Sequence, residues 1–68
     1  MSRSSAYRDG WLAQKEGVDV DLNPYNETTQ SYSNREWVGG WCERFNAVKN
    51  YKPEEVLTMD FSISFGED

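Results

Sequence analysis

Two pairs of carboxylates and one thiol are the first residues to ask for chemistry: Asp19 and Asp21, Glu54 and Glu55, and Cys42. Asp19-x-Asp21-x-Asn23 has the opening spacing of a calcium loop, but Pro24 stands where such a loop needs glycine and Gln30 stands where it needs a closing glutamate. Neighbouring Glu54 and Glu55 point in different directions, which suits solvation better than paired acid–base work. The chain has no histidine, so nothing activates Cys42, and zinc sites and Ser–His or Cys–His pairs are excluded. Gly39-Gly40 lies inside a helical pattern and not after a strand, so it makes no phosphate loop. These residues predict no catalytic group, no metal, no cofactor and no small-molecule substrate.

What is left is charge and aromatic surface. Seven basic residues against twelve acidic ones give a net charge of −5. Residues 16–32 and 52–68 each carry a net −4, while residues 1–15 and 33–51 are mildly basic. Arg3, Arg8, Lys15, Arg35 and Arg44 lie in the two mildly basic parts, and Asp19, Asp21, Tyr25 and Glu27 of the acidic middle segment are the candidate contacts to a basic protein. No apolar run at the N-terminus reads as a signal peptide or a membrane span, and the expected location is the cytoplasm.

The elements that would position these residues are few, because 68 residues make one small domain of marginal stability. Residues 4–16 predict a first helix capped by Ser4 or Ser5 and ended by a left-handed Gly17. Its face of Ala6, Gly10 and Ala13 is smooth. A second helix is expected from the Ser33-x-x-Glu36 capping box to about Asn50, with Tyr32 and Trp37 as a hydrophobic staple. Gly39 and Gly40 in that helix would allow a close crossing against Gly10, walled by Trp11, Trp37, Trp41 and Phe45; a binding surface built from one of the tryptophans is the other reading.

Two strands complete the expectation. Val18, Val20 and Leu22 alternate with acids, and Leu57, Met59, Phe61, Ile63 and Phe65 alternate with Thr58, Asp60, Ser62 and Ser64. The predicted fold is α+β: two antiparallel helices with a glycine-lined crossing beside a short two-strand sheet, its C-terminal strand paired within the chain, between subunits or with a sheet edge on a partner. The excess apolar face of the second strand points to a homodimer.

"AYRDGWLAQKEG", "NPY" and "REWVGGWCERF", spanning residues 6–45, resemble the ribosome modulation factor family and its phage and plasmid relatives. Pro24, Tyr25, Trp37, Gly40 and Trp41 match its scaffold motif. The resemblance implies a small all-helical, non-enzymatic cytoplasmic protein that binds the small ribosomal subunit near the 3′ end of its RNA and modulates translation. It implies Arg8, Arg35 and Arg44 as the positions facing RNA, and with Arg3 and Lys15 from the same basic helices these are the candidate RNA contacts. Residues 52–68, the acidic strand-forming tail, lie outside the motif. The pI of about 4.5 favours a second reading, an acidic phage-type interaction protein that binds and inhibits a basic host protein, with nucleic-acid mimicry as one route.

Overall fold

A computed structural model of the chain describes residues 4–64. It contains three α-helices, α1 (Ser5–Lys15), α2 (Ser31–Asn50) and α3 (Pro53–Ser64), and a single 3-10 turn at Val20–Leu22. Among the described residues there is no strand, so the fold is all-helical and not α+β.

Helix α1 starts and stops where its residue types dictate. The Ser4 hydroxyl accepts the Tyr7 amide at 3.1 Å, satisfying one of the four free donors of the first turn. At the other end Gly17 takes φ +81°. That conformation lets its amide reach the Gln14 carbonyl while the Val18 amide reaches that of Ala13, the paired bonds of a Schellman ending.

Helix α2 begins at Ser31, two residues before the expected cap, so Ser33 and Glu36 form no capping box. The turn ahead of it explains the earlier start. The Asn26 side chain accepts the amides of Thr28 and Thr29, and the Gln30 amide already bonds the Asn26 carbonyl, so the chain is coiled before Ser31. The Tyr32–Trp37 staple is absent too: Tyr32 is exposed and Trp37 is buried against α1. The helix ends at Asn50, as Pro53 requires.

Both expected strands are overturned, and one physical reason covers them. The backbone of the first segment is already committed. The Val18 amide closes the α1 ending, the Val18 carbonyl accepts the Trp41 indole at 2.7 Å, and the Leu22 amide bonds the Asp19 carbonyl. These bonds take up groups that a ladder would need, and a helix satisfies the second segment's backbone without one. Pro53 at the first helical position, Glu54 and Glu55 in the first turn, and the Glu55 carboxylate accepting the Lys52 amide at 2.9 Å start α3. Val56, Met59, Asp60 and Ile63 then share its inner face, while Leu57 and Phe61 point outward. The expected apolar and polar faces are thus exchanged at Leu57, Phe61 and Asp60. Phe65 lies outside the described residues.

The core is small. Tyr7, Trp11, Ala47 and Val56 form its buried cluster, with Leu12, Met59 and Ile63 packed against it. Close approach of α1 and α2 rests on two glycines. A Cβ on Gly10 would lie 2.7 Å from the Trp37 carbonyl carbon and overlap its oxygen. One on Gly40 would lie 3.0 Å from the Trp11 nitrogen and overlap the Tyr7 carbonyl oxygen. Each helix therefore seats its glycine on the other's backbone. Gly39 is not part of this contact; a Cβ there would rest 3.9 Å from the Tyr7 ring.

Candidate functional site

The residues of the sequence motif converge on the α1–α2 crossing. Trp37, 2% exposed, lies under Gly10, and Trp41 is half-buried with its indole N–H fixed on Val18. The Asn23-Pro24-Tyr25 loop is fastened to α2 by a reciprocal pair of side-chain bonds. The Asn34 amide donates to the Tyr25 carbonyl at 2.8 Å, and the Asn23 amide donates to the Asn34 carbonyl at 3.1 Å. Asn23 also accepts the Tyr25 amide at 2.9 Å, which turns the chain at Pro24. The Tyr25 hydroxyl donates to Asp9 of α1 at 3.4 Å, so the loop touches both helices.

The candidate RNA contacts differ in their surroundings. Arg3 lies outside the described residues. Arg8 is half-buried, and Lys15 and Arg35 are exposed. Arg44 is turned inward. Its Nε and Nη2 donate to the two carboxylate oxygens of Asp60, each at 2.8 Å, and its Nη1 donates to Gln14 at 2.6 Å. Of the candidate protein contacts, Asp19, Asp21 and Glu27 are exposed, Asp19 accepts the Asp21 amide, and Tyr25 is half-buried in the loop just described.

Asp60 was assigned to a solvent face from the sequence, yet it is the one buried carboxylate among the described residues, at 3% exposure. It accepts from the Arg44 fork and from the Trp11 indole at 2.6 Å, joining all three helices at a single point. The Arg44 bonds hold its carboxyl below the usual carboxylate range; burial pushes the other way, and the Trp11 bond and the charge of Lys15 add to the lowering. A signal for this was present, since Val56, Met59, Asp60 and Ile63 follow the 3, 1, 3 spacing of one helical face. Nothing local names its partner, sixteen residues away. The fully bonded Arg44–Asp60 pair fastens α3 and leaves no open ligand position.

Two smaller polar ties reinforce the crossing. The Tyr7 hydroxyl donates to Glu43 at 2.6 Å, and the Ser4 hydroxyl donates to Glu36 at 3.0 Å. Cys42 is exposed, and no group of three or more His, Cys, Asp or Glu among the described residues could hold a metal. No helix among them is long and apolar enough to cross a membrane. No protein-family model, curated protein or solved structure matches this chain.

Proposed function

We propose that this chain is a small non-enzymatic regulator that acts in the cytoplasm by binding the ribosome, in the manner of the ribosome modulation factor family. One observation carries the reading: the residues that make the resemblance fold as a unit. Gly10 and Gly40 seat the two helices on each other, Trp37 is buried under Gly10, the Trp41 indole donates to the Val18 carbonyl, and the Pro24-Tyr25 loop is bonded to α2 and α1. An all-helical architecture is also what that resemblance implies. Of the candidate cations among the described residues, Lys15 and Arg35 are exposed and Arg8 is half-buried, while Arg44 is held by Asp60.

The test is co-sedimentation of the purified chain with small ribosomal subunits at rising salt. Binding at about 50 mM salt that weakens steeply by about 200 mM is expected of phosphate contacts. Arg35→Ala and Lys15→Ala should flatten that slope. A chain absent from the ribosomal fraction at the lower salt overturns the reading.

The exposed acids Asp19, Asp21 and Glu27 on one loop favour a second reading, in which the chain binds and inhibits a basic host protein. Neutralising Asp19 and Asp21, and not the cations, should then abolish capture of that protein. Retained capture by the Asp19→Asn, Asp21→Asn variant removes this alternative.

A further inference from the structure

Most of the large apolar side chains left in water lie in one half of the molecule. Phe45, Val48 and Tyr51 on the C-terminal part of α2 and its end, and Leu57 and Phe61 on α3, are each 42–65% exposed. Three of them share one site. Val48, Tyr51, Pro53 and Leu57, floored by Arg44 and Val56, line an open groove of about 380 Å³ between the two helices. Phe61 continues the Leu57 ridge one turn along α3, and Phe45 lies three residues before Val48 on α2.

We propose that this groove is the interface of a symmetric homodimer, in which the Leu57 ridge of each copy fills the groove of the other. Area is the first argument. The open parts of the five side chains amount to about 500 Å² per copy. Two copies bring about 1,000 Å² before any rim is counted, near the lower bound for a specific interface of about 1,200 Å². A 68-residue chain with so small a core has need of that burial.

Charge is the second argument, and it selects a second copy over an unrelated partner. A two-fold interface must be complementary to itself. Both signs stand next to lining residues, one on each helix: Lys49 follows Val48 on α2, its ammonium 5.1 Å from the Phe45 ring centre, and Glu54 follows Pro53 on α3, one turn before Leu57. A two-fold axis running along the groove brings the α3 side of one copy onto the α2 side of the other, so that Glu54 faces Lys49 of its mate. A uniformly basic or acidic rim would have repelled its own copy.

Sedimentation equilibrium of the full chain between about 1 and 500 µM tests this; dimerisation in the micromolar range is expected of an interface this small. A mass that stays monomeric throughout overturns the proposal, whatever the chain does with ribosomes. Leu57→Asp, at a site open to water in the monomer, should raise the dissociation constant at least tenfold with helix content by circular dichroism unchanged. Val48→Asp on the facing helix should do the same, so that a folding defect in one variant does not decide the matter. A dimer indifferent to both overturns the assignment of the groove. Lys49→Glu and Glu54→Lys should each weaken self-association several-fold, and mixing the two variants should restore it as a heterodimer. A mixture no tighter than its components overturns the two-fold arrangement.

Discussion

Helices α1 and α2 meet through backbone; α3 meets them through one carboxylate. At the crossing, Gly10 rests on the Trp37 carbonyl and Gly40 on that of Tyr7. At the α3 dock, Asp60 accepts from Arg44 and Trp11, and Val56, Met59 and Ile63 supply the apolar remainder. The first contact depends on an absence of atoms, and no other residue type can reproduce it. The second depends on a pairing of charges that is stable only while both partners are present. The two joints should therefore fail differently.

The largest effect is expected at the crossing. In Gly40→Leu the Cβ alone overlaps the Tyr7 carbonyl oxygen, and a backbone atom within a helix cannot step aside as a side chain would. The cost should exceed the roughly 1–3 kcal/mol of ordinary overpacking, a large part of what a domain this size possesses. Loss of cooperative melting and of most helical circular dichroism is the expected result. A variant that melts like the parent would show that the helices do not cross on Gly40.

Next comes the dock. Asp60→Asn leaves the Arg44 guanidinium, 12% exposed, facing a neutral amide, and removing one partner of a buried pair costs about 3–5 kcal/mol. The effect should be regional. Amide hydrogen exchange should show α3 losing protection while α1 and α2 keep theirs, since the glycine crossing does not involve Asp60. Uniform loss over all three helices would mean that the two joints are one cooperative unit.

The same pair predicts a pH dependence. The folded carboxyl of Asp60 is held below its usual value by Arg44, so the folded state binds its proton less readily than the unfolded chain does. Its contribution is then fully present above the unfolded value of about 3.9 and is lost as pH falls through the lower, folded value. Other carboxylates titrate in the same range. The informative quantity is the stability difference between the parent and Asp60→Asn, followed by urea melts from about pH 7 to 2. That difference should be flat above about pH 5 and shrink below about pH 4. A gap that is constant to the lowest pH would mean that Asp60 is not ionised in the fold.

The contrast between the joints also explains what could be seen in advance. The crossing was legible because its determinants are local and singular: small residues spaced along one helix face, a serine cap, and Gly17 at a helix end. The dock was not, because residues 56–63 carry two patterns at once. Leu57, Met59, Phe61 and Ile63 fit a strand, while Val56, Met59, Asp60 and Ile63 fit a helix. Counting a charged residue as solvent-facing chose the wrong one. That convention fails where a distant cation can be buried with the acid, and Arg44 could be recognised as that cation only after α1 and α2 were in place. The start of α3 held the corrective signal, since proline followed by two glutamates opens helices, not strands. The Arg44–Asp60 pairing was illegible for the same reason, since neither residue marks its partner in the sequence. The half-buried loop at Tyr25 was better marked, because Asn23 and Pro24 announce a turn whatever packs on it.

Adjacent glycines in α2 give the smallest and sharpest test of this contrast. Gly39 and Gly40 are alike in sequence, both stand in mid-helix, and neither has a positive φ. Their surroundings separate them. Alanine at Gly40 drives its methyl into the Tyr7 carbonyl, whereas alanine at Gly39 places it 3.9 Å from Tyr7 Cδ2 and Cε2, an ordinary van der Waals contact. Nothing must move to admit it. Alanine is better than glycine in a helix interior by roughly 1 kcal/mol, chiefly because the unfolded chain has less freedom to lose. Gly39→Ala should therefore stabilise the chain by up to about 1 kcal/mol. The shift in melting temperature should be a few degrees upward, on the order of 4–8 °C per kcal/mol for a domain of this length. Gly40→Ala should shift it downward. Opposite signs at neighbouring positions would locate the close approach at Gly40 to within one residue. A Gly39→Ala variant that melts lower than the parent would mean that the Tyr7 ring, or the turn of α2 that faces it, is packed more tightly than a methyl allows.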